Sequence, residues 1–362
     1  MTRTKVLVLR VQDRCARIVS PLVILLLVLA IGVGLVAAGA IYQALGTAGD
    51  GRRYPAPGRM IDVGGRDLHL IDHDLSANRL AVVFESGISA TCLNWTEVRA
   101  QVEGFACACT YDRAWLGWSD PAPSPRTTSN IIHDLHALIE AAQIPRPLLL
   151  VGHSFGGMLV RAYAARYPAD VAGLILVDPL SPSEWLSISP AHARMLRLGV
   201  RLARRGAVLA RIGVVRAALG LLMSGGRLVP QAIAKLSSGR GESVISRLVG
   251  EVRKMPPETW PMVRAHWCLP KSFVGLGAYL ESLPASAAEA AAIGETEPIP
   301  VTVLSAANST PEQLEEREAM VSRSPRGRHI IARKSGHWIQ LDEPQLVVDA
   351  IREMVLVRTK PS

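Results

Sequence analysis

Hydrophobic and polar positions alternate in three different ways along this chain, and each predicts a different kind of element. From Ile18 to Gly49 there is no charged residue, and Pro21 to Tyr42 is almost wholly apolar. A helix of about 20 such residues crosses roughly 30 Å of hydrocarbon, so this stretch predicts a transmembrane helix. Arg59 to His73 (RMIDVGGRDLHLIDH) alternates apolar and polar residues on both sides of Gly64-Gly65, which predicts a β-hairpin. Short, mostly apolar runs follow: Leu80–Glu85, Ala106–Asp112, Pro147–Gly152 and Gly173–Asp178, and later Ile299–Leu304 and His329–Arg333. Runs of that length suit strands buried on both faces. Helical periodicity lies between or after them, at Asn130–Gln143, Met158–Tyr167 and Glu343–Val357. A hairpin followed by alternating strands and helices predicts an α/β fold with a mostly parallel, doubly wound sheet.

The alternation breaks once. Residues 179–298 are helix-rich without strand patterning, and predict a helical cap inserted into the core. The resulting division is a basic segment at 1–17, a membrane anchor at 18–42, and a Gly- and Pro-rich linker at 43–58. Two core segments, 59–178 and 299–362, then flank the cap at 179–298.

Charge refines this picture. Arg3, Lys5, Arg10, Arg14 and Arg17 stand against Asp13 before the apolar stretch, which places the N-terminus in the cytoplasm and the rest outside. The competing expectation is a secreted protein, because Ala38-Gly39-Ala40 fits a signal-peptidase site; the long charged segment and long apolar run argue for a retained anchor. The net charge of +9 is concentrated: between Pro190 and Lys254, 13 Arg or Lys face two acids, a local net of +11. Leu196 to Met223 interleaves arginines with aliphatic residues at near-helical spacing, which suits an anionic membrane surface or a solvated helix face. Without a recognition motif or stacking aromatics there, nucleic acid is not an expected partner. The five cysteines show neither a disulfide framework nor metal-ligand spacing, and His133 and His136 share a helix face without a third ligand.

Candidate chemistry centres on Gly152-His153-Ser154-Phe155-Gly156, a G-x-S-x-G pattern between a predicted strand and a predicted helix. That order makes a nucleophile elbow: a cramped turn projects the Ser154 hydroxyl above the sheet edge, over a helix N-terminus that favours negative charge. A serine hydroxyl needs a base. His337, in Ser335-Gly336-His337-Trp338 between the last strand and the closing helix, stands in the right place for it. The side chain of His153 is expected to point away from that of Ser154.

The stretches FESGISA (84–90), YDRAWLGWSDP (111–121), VGHSFGGMLVRAYAARYP (151–168), LILVDP (174–179) and SGHWIQLDEP (335–344) resemble the α/β-hydrolase superfamily, in its bacterial esterase/lipase-like branch. The resemblance implies an oxyanion hole from the backbone N–H groups of Phe155 and of Ile88, after Gly87, and no metal or organic cofactor. In the related pattern a glycine stands where this chain has Trp115, so the indole either narrows the pocket or packs a loop. The resemblance leaves two positions for the triad acid: Asp178 at the end of the sixth strand, or Glu312 after the seventh, where Asn308 stands in place of a nearer acid. Asp112 and Asp342 are expected to be structural. The function implied is hydrolysis of small-molecule or lipid-like carboxylic esters through an acyl-enzyme. Perhydrolase or acyl-transfer chemistry on the same residues, and a non-catalytic membrane-tethered binding protein, are the alternatives.

Overall fold

The computed structural model describes residues 3–75, 79–223, 252–294 and 298–359. Part of the basic run between Pro190 and Lys254 therefore lies outside the described residues. The chain opens with helix α1, Arg3–Arg53, of which Pro21–Arg53 is long and apolar enough to cross a membrane. The hairpin follows as β1 (Arg59–Asp62) and β2 (Asp67–Ile71), paired antiparallel with Met60 opposite His69. Then come β3 (Ala81–Glu85), α2 (Thr96–Val102), β4 (Cys107–Tyr111), α3 (Thr128–Ala141), β5 (Leu148–His153), α4 (Phe155–Arg166) and β6 (Val171–Val177). An insertion carries α5 (Ser183–Leu186), α6 (Pro190–Arg211), α7 (Val214–Met223), α8 (Trp260–Trp267) and α9 (Pro270–Ile293). The core resumes with β7 (Val301–Ala306), α10 (Pro311–Ser322), β8 (Arg328–Ala332), α11 (Ile339–Asp342) and α12 (Pro344–Thr359).

The eight strands form one sheet in the order β1-β2-β4-β3-β5-β6-β7-β8. From β4 to β8 every pairing is parallel. The period-2 alternation of a strand sends Val83, Leu148, Leu150, Leu174 and Val303 to one face, with α3 and α4. Val82, Phe84, Leu149, Val151 and Ile175 go to the other, with Trp95, Val98, Val347 and Ile351 from its helices. Both faces are dry, which is why these strands read as unbroken apolar runs. Each fully buried Leu, Val or Phe contributes about 1.5–3 kcal/mol.

The linker expected at 43–58 is corrected: α1 continues to Arg53, and only the residues after it are extended. Gly46, Gly49 and Gly51 each weaken a helix by about 1 kcal/mol relative to alanine, yet tertiary contacts override them. A side chain on Gly46 would collide with the Arg216 guanidinium, its β-carbon 2.6 Å from Nε. That guanidinium, 3% exposed, donates to Gln43 Oε1 at 3.0 Å, Thr47 Oγ1 at 3.3 Å and Asp50 Oδ2 at 2.5 Å. Gln43 in turn donates to the Cys268 carbonyl at 2.8 Å. Beyond the helix, His69 Nε2 reaches the Pro57 carbonyl and Trp118 Nε1 donates to the Tyr54 carbonyl at 3.1 Å. The distal part of α1 is thus fastened to insertion and core alike.

Breaking a buried ion pair by removing one partner costs about 3 kcal/mol or more. Asp50→Ala should therefore lower the thermal unfolding midpoint of the detergent-solubilised chain by several degrees, while Asp349→Ala, on the exposed face of α12, should leave it unchanged; circular dichroism melts check both.

Candidate active site

β5 and β6 run parallel with Gly152 opposite Leu176 and His153 opposite Val177. One step further, their ends present Ser154 and Asp178 side by side. Both backbones are left-handed, with φ of 55° and 42°, where non-glycine residues are strained. The turn is held by its own hydrogen bonds: Ser154 N donates to the Val177 carbonyl at 3.0 Å, and Leu180 N to the Ser154 carbonyl at 2.9 Å. α4 starts immediately after Ser154, so the Phe155 N–H belongs to the first turn, whose donors lack helical partners. A β-carbon on Gly156 would lie 2.4 Å from the Glu85 carbonyl oxygen, so only glycine lets the helix start this close to the end of β3. Ser154 itself is 8% exposed.

Asp178 has its two carboxylate oxygens divided between two tasks. Oδ1 accepts from Ala306 N at 3.1 Å, Ser309 Oγ at 3.4 Å and Arg317 Nη1 at 2.8 Å. Oδ2 is left for His337 Nδ1, at 2.6 Å. Burial pushes this carboxyl up, but the His337 hydrogen bond and the Arg317 charge outweigh it and hold the pKa down at about 2. Asp178 is therefore an anion at any working pH. Arg317, 5% exposed, also donates to Ser305 Oγ, Ser309 Oγ and the Pro179 carbonyl. His337 is half-exposed and follows β8 in a loop fixed by Asp342, whose Oδ2 accepts from Ser335 Oγ at 3.0 Å and Gly336 N at 3.3 Å.

His153 lies beneath this loop. Its Nε2 donates to the His337 carbonyl at 2.8 Å, and its ring packs 4.7 Å from that of His337 and 4.8 Å from that of Trp338. Burial, and then the neighbouring His337, lower its pKa to about 3, so it stays neutral. A β-carbon on Gly87 would lie 3.1 Å from His153 Nδ1 and 3.8 Å from Ser154 Cβ, which puts the Gly87–Ile88 peptide beside the serine. Arg113 braces that loop from behind. It pairs with Glu85, donates to the Ser86 carbonyl at 2.6 Å and to the Gly87 carbonyl, and lies over the rings of Phe155 and Tyr279.

The structure thus brings Ser154, Asp178, His337, His153, Phe155 and the Gly87–Ile88 loop together, and leaves Glu312 apart. Glu312 is exposed in the first turn of α10, which Thr310 caps by accepting from Gln313 N. Trp115 takes a backbone conformation that favours glycine, φ 74°. Its indole N–H donates to the Ala122 carbonyl at 2.8 Å, and its β-carbon fills the space where Gly275 of α9 has no side chain. Those are packing contacts between loop and insertion. Sequence reasoning missed Arg317, which sits in an acidic helical run with no visible signal; Arg113 lay inside a quoted motif without a role.

One cavity adjoins the site and a larger one does not. A recess of about 60 Å³ is lined by Ser89, Ala90, Met255, His266 and Trp338, between the Gly87–Ile88 side and the insertion. The larger cavity, about 520 Å³, lies at the opposite end of the strands, around Leu149, Val171 and Arg328, away from Ser154. A second polar cluster, His69, Cys92 and Asp112, is wholly buried. Its carboxylate is already taken by His69 Nδ1 at 2.8 Å and by the N–H groups of Cys92 and Trp118, so it braces the loop after β4. His266 packs edge-on against Trp118 near it; burial first lowers its pKa, to about 4, against the pull of Asp112.

Both buried histidines have pKa values depressed on folding, so the unfolded chain binds more protons below pH 6.5 and stability falls as pH drops from there towards 4 and 3. Between pH 7 and pH 5 each should remove about 2 kcal/mol. Urea unfolding of the chain at the two pH values should show that loss, and His266→Gln should flatten it by roughly half.

The family profile described as the alpha/beta hydrolase family matches residues 82–350, well over half of the chain. The chain is 30% identical over 107 residues to the uncharacterized protein YqjL of Bacillus subtilis, covering 30% of this chain and 42% of that protein. It spans less than half the length of the curated relatives it matches. The Cif epoxide hydrolase from Acinetobacter nosocomialis has a similar structure, with a TM-score of 0.62 and 13% identity over 87% of this chain and 96% of that one. So does the enol-lactonase from Burkholderia xenovorans, with a TM-score of 0.55 and 18% identity over 82% of this chain and all of that one. Fold, strand order and family profile agree: the chain belongs to the α/β-hydrolase family.

Proposed function

We propose that this protein is a membrane-anchored serine hydrolase that cleaves carboxylic esters through an acyl-enzyme. The observation that carries the reading is the 2.6 Å contact between Asp178 Oδ2 and His337 Nδ1, made beside a strained serine at the next strand end. With Nδ1 bonded to an anion, His337 keeps its proton there and presents Nε2 as a base. Nε2 takes the proton of Ser154 as Oγ attacks the ester carbonyl carbon. The N–H groups of Ile88 and Phe155 receive the oxyanion, a contribution of about 3 kcal/mol for each well-placed donor. As the tetrahedral intermediate collapses, the Nε2 proton passes to the leaving alkoxide and the alcohol departs. A water then gives its proton to Nε2 and attacks the acyl carbon, and collapse returns the proton to Ser154 Oγ as the free acid leaves.

The nucleophile decides the reaction class. A carboxylate in place of Ser154 would form an alkyl-ester intermediate, as suits dehalogenation or epoxide opening; a serine alkoxide suits acyl transfer. The described helices of the insertion act as a cap over the serine, since Leu116, Phe155 and Met158 pack with Tyr279, Leu283 and Ala287 of α9. The α1 helix holds the hydrolase domain on the outer side of the membrane, with the basic N-terminal segment inside.

A fluorophosphonate probe should label the detergent-solubilised wild type and fail to label Ser154→Ala or His337→Ala. Against a short-to-long panel of p-nitrophenyl esters, Asp178→Asn should reduce kcat by about 10³-fold or more, and Glu312→Gln should stay within about twofold of wild type, as a surface substitution does. A folded wild type that neither labels nor turns over any ester would overturn the reading in favour of a binding protein.

A further inference from the structure

The three faces of α6 are chemically distinct, and one of them has, among the described residues, no protein to explain it. Ala203, Gly206, Ala207 and Ala210 are buried, and the Phe273 ring of α9 occupies the space beside Gly206. Next to this face runs an apolar stripe at Met195, Leu198, Leu202 and Leu209, exposed by 56%, 50%, 54% and 42%. Its spacing of i, i+3, i+7 and i+14 keeps the four residues on one line of the helix. Arg194, Arg197, Arg201, Arg204, Arg205 and Arg211 are all exposed beyond it. No acidic residue occurs between Glu184 and Glu242.

The position of this helix supplies the partner. Twenty residues at 1.5 Å each, counted from Pro21, reach Ala40, so Gly39 to Tyr42 mark the outer limit of the hydrocarbon. The turn between α6 and α7 abuts that point: a β-carbon on Gly213 would lie 2.6 Å from the Gly39 carbonyl oxygen and 3.0 Å from the Tyr42 ring, and one on Gly39 would lie 2.3 Å from the Ile212 carbonyl oxygen. One and a half turns further along α1, Gln43, Thr47 and Asp50 clamp Arg216 of α7, so the two elements cannot slide past each other.

We propose that α6 and α7 are an interfacial docking surface for the outer leaflet of the membrane that α1 crosses, with the apolar stripe of α6 among the upper acyl chains and its arginines on anionic phospholipid headgroups. An interfacial helix combines those two features: an apolar line for immersion and a cationic flank for anionic lipid. The inference rests on α1 as a membrane helix and is independent of the chemistry at Ser154.

The test is nitroxide depth measurement on the full chain in nanodiscs, in a Cys15→Ser background, with single labels at Leu202→Cys, Leu209→Cys, Val28→Cys and Asp349→Cys. In discs containing anionic phosphatidylglycerol, Leu202 and Leu209 should show an oxygen-to-nickel accessibility ratio at least about threefold above that of Asp349, as expected for immersion to 5–10 Å. Arg197→Glu with Arg201→Glu, or purely zwitterionic discs, should bring the ratio at Leu202 back towards the Asp349 value. Aqueous values at both α6 sites with a deep Val28 would overturn the docking surface alone. An aqueous Val28 would overturn the membrane span itself. Low accessibility to both reagents would mean that protein covers the stripe, and equal immersion in zwitterionic discs would overturn the anionic assignment.

Discussion

Two strained residues at neighbouring strand ends hold the site together. Ser154 and Asp178 leave parallel strands at the same register, each in the left-handed region and each without glycine's tolerance for it. Such conformations cost of order 1–3 kcal/mol apiece, and they persist because the surrounding hydrogen bonds over-determine them. Ser154 is fixed through Val177 and Leu180, on either side of Asp178, and Asp178 N is fixed by the Leu304 carbonyl at 2.7 Å. The strain projects both side chains off the same edge of the sheet, towards the loop that carries His337. If either turn relaxed, the 2.6 Å contact to His337 would be lost with it.

Arg317 is the counterpart of that strain. A buried carboxylate bound only to a histidine would face a large desolvation cost. Four donors satisfy Asp178 instead, and Arg317 supplies the compensating charge from a helix that follows the seventh strand. The carboxylate that meets His337 stands at the end of β6, and α10, which follows β7, supplies its cation rather than a second carboxylate to the histidine.

These pairings mark the boundary of what sequence reading could reach. The strands were legible because each is buried on both faces, and the helices because their periodicity differs. The serine turn was legible because Gly152 and Gly156 flank it in a strand-to-helix context. The choice between Asp178 and Glu312 was open, since it depends on which carboxylate the fold carries to a histidine about 160 or 25 residues away. Arg317 left no signal because its partners come from β6, β7 and the loop beyond. The end of α1 misled for the converse reason: Gly46, Gly49 and Gly51 read as a linker by local propensity, and partners more than 160 residues later, Arg216 foremost, hold them in a helix.

On the proposed reading of α1 as a membrane helix, that same arginine changes what kind of anchor it is. A flexible tether would leave the hydrolase domain free to tumble above the bilayer, and substrate would have to reach it through water. A helix that continues unbroken past the apolar stretch, locked to the insertion through Arg216 and, just past its end, to the core through the Tyr54 and Pro57 carbonyls, transmits orientation instead. Because α9 of the same insertion packs on Phe155, directly after the serine, the orientation fixed at α1 is also imposed near the serine. The buried polar contacts at the foot of α1 and those around Asp178 therefore belong to one mechanical frame. The first sets where the domain faces, and the second sets which atoms meet there.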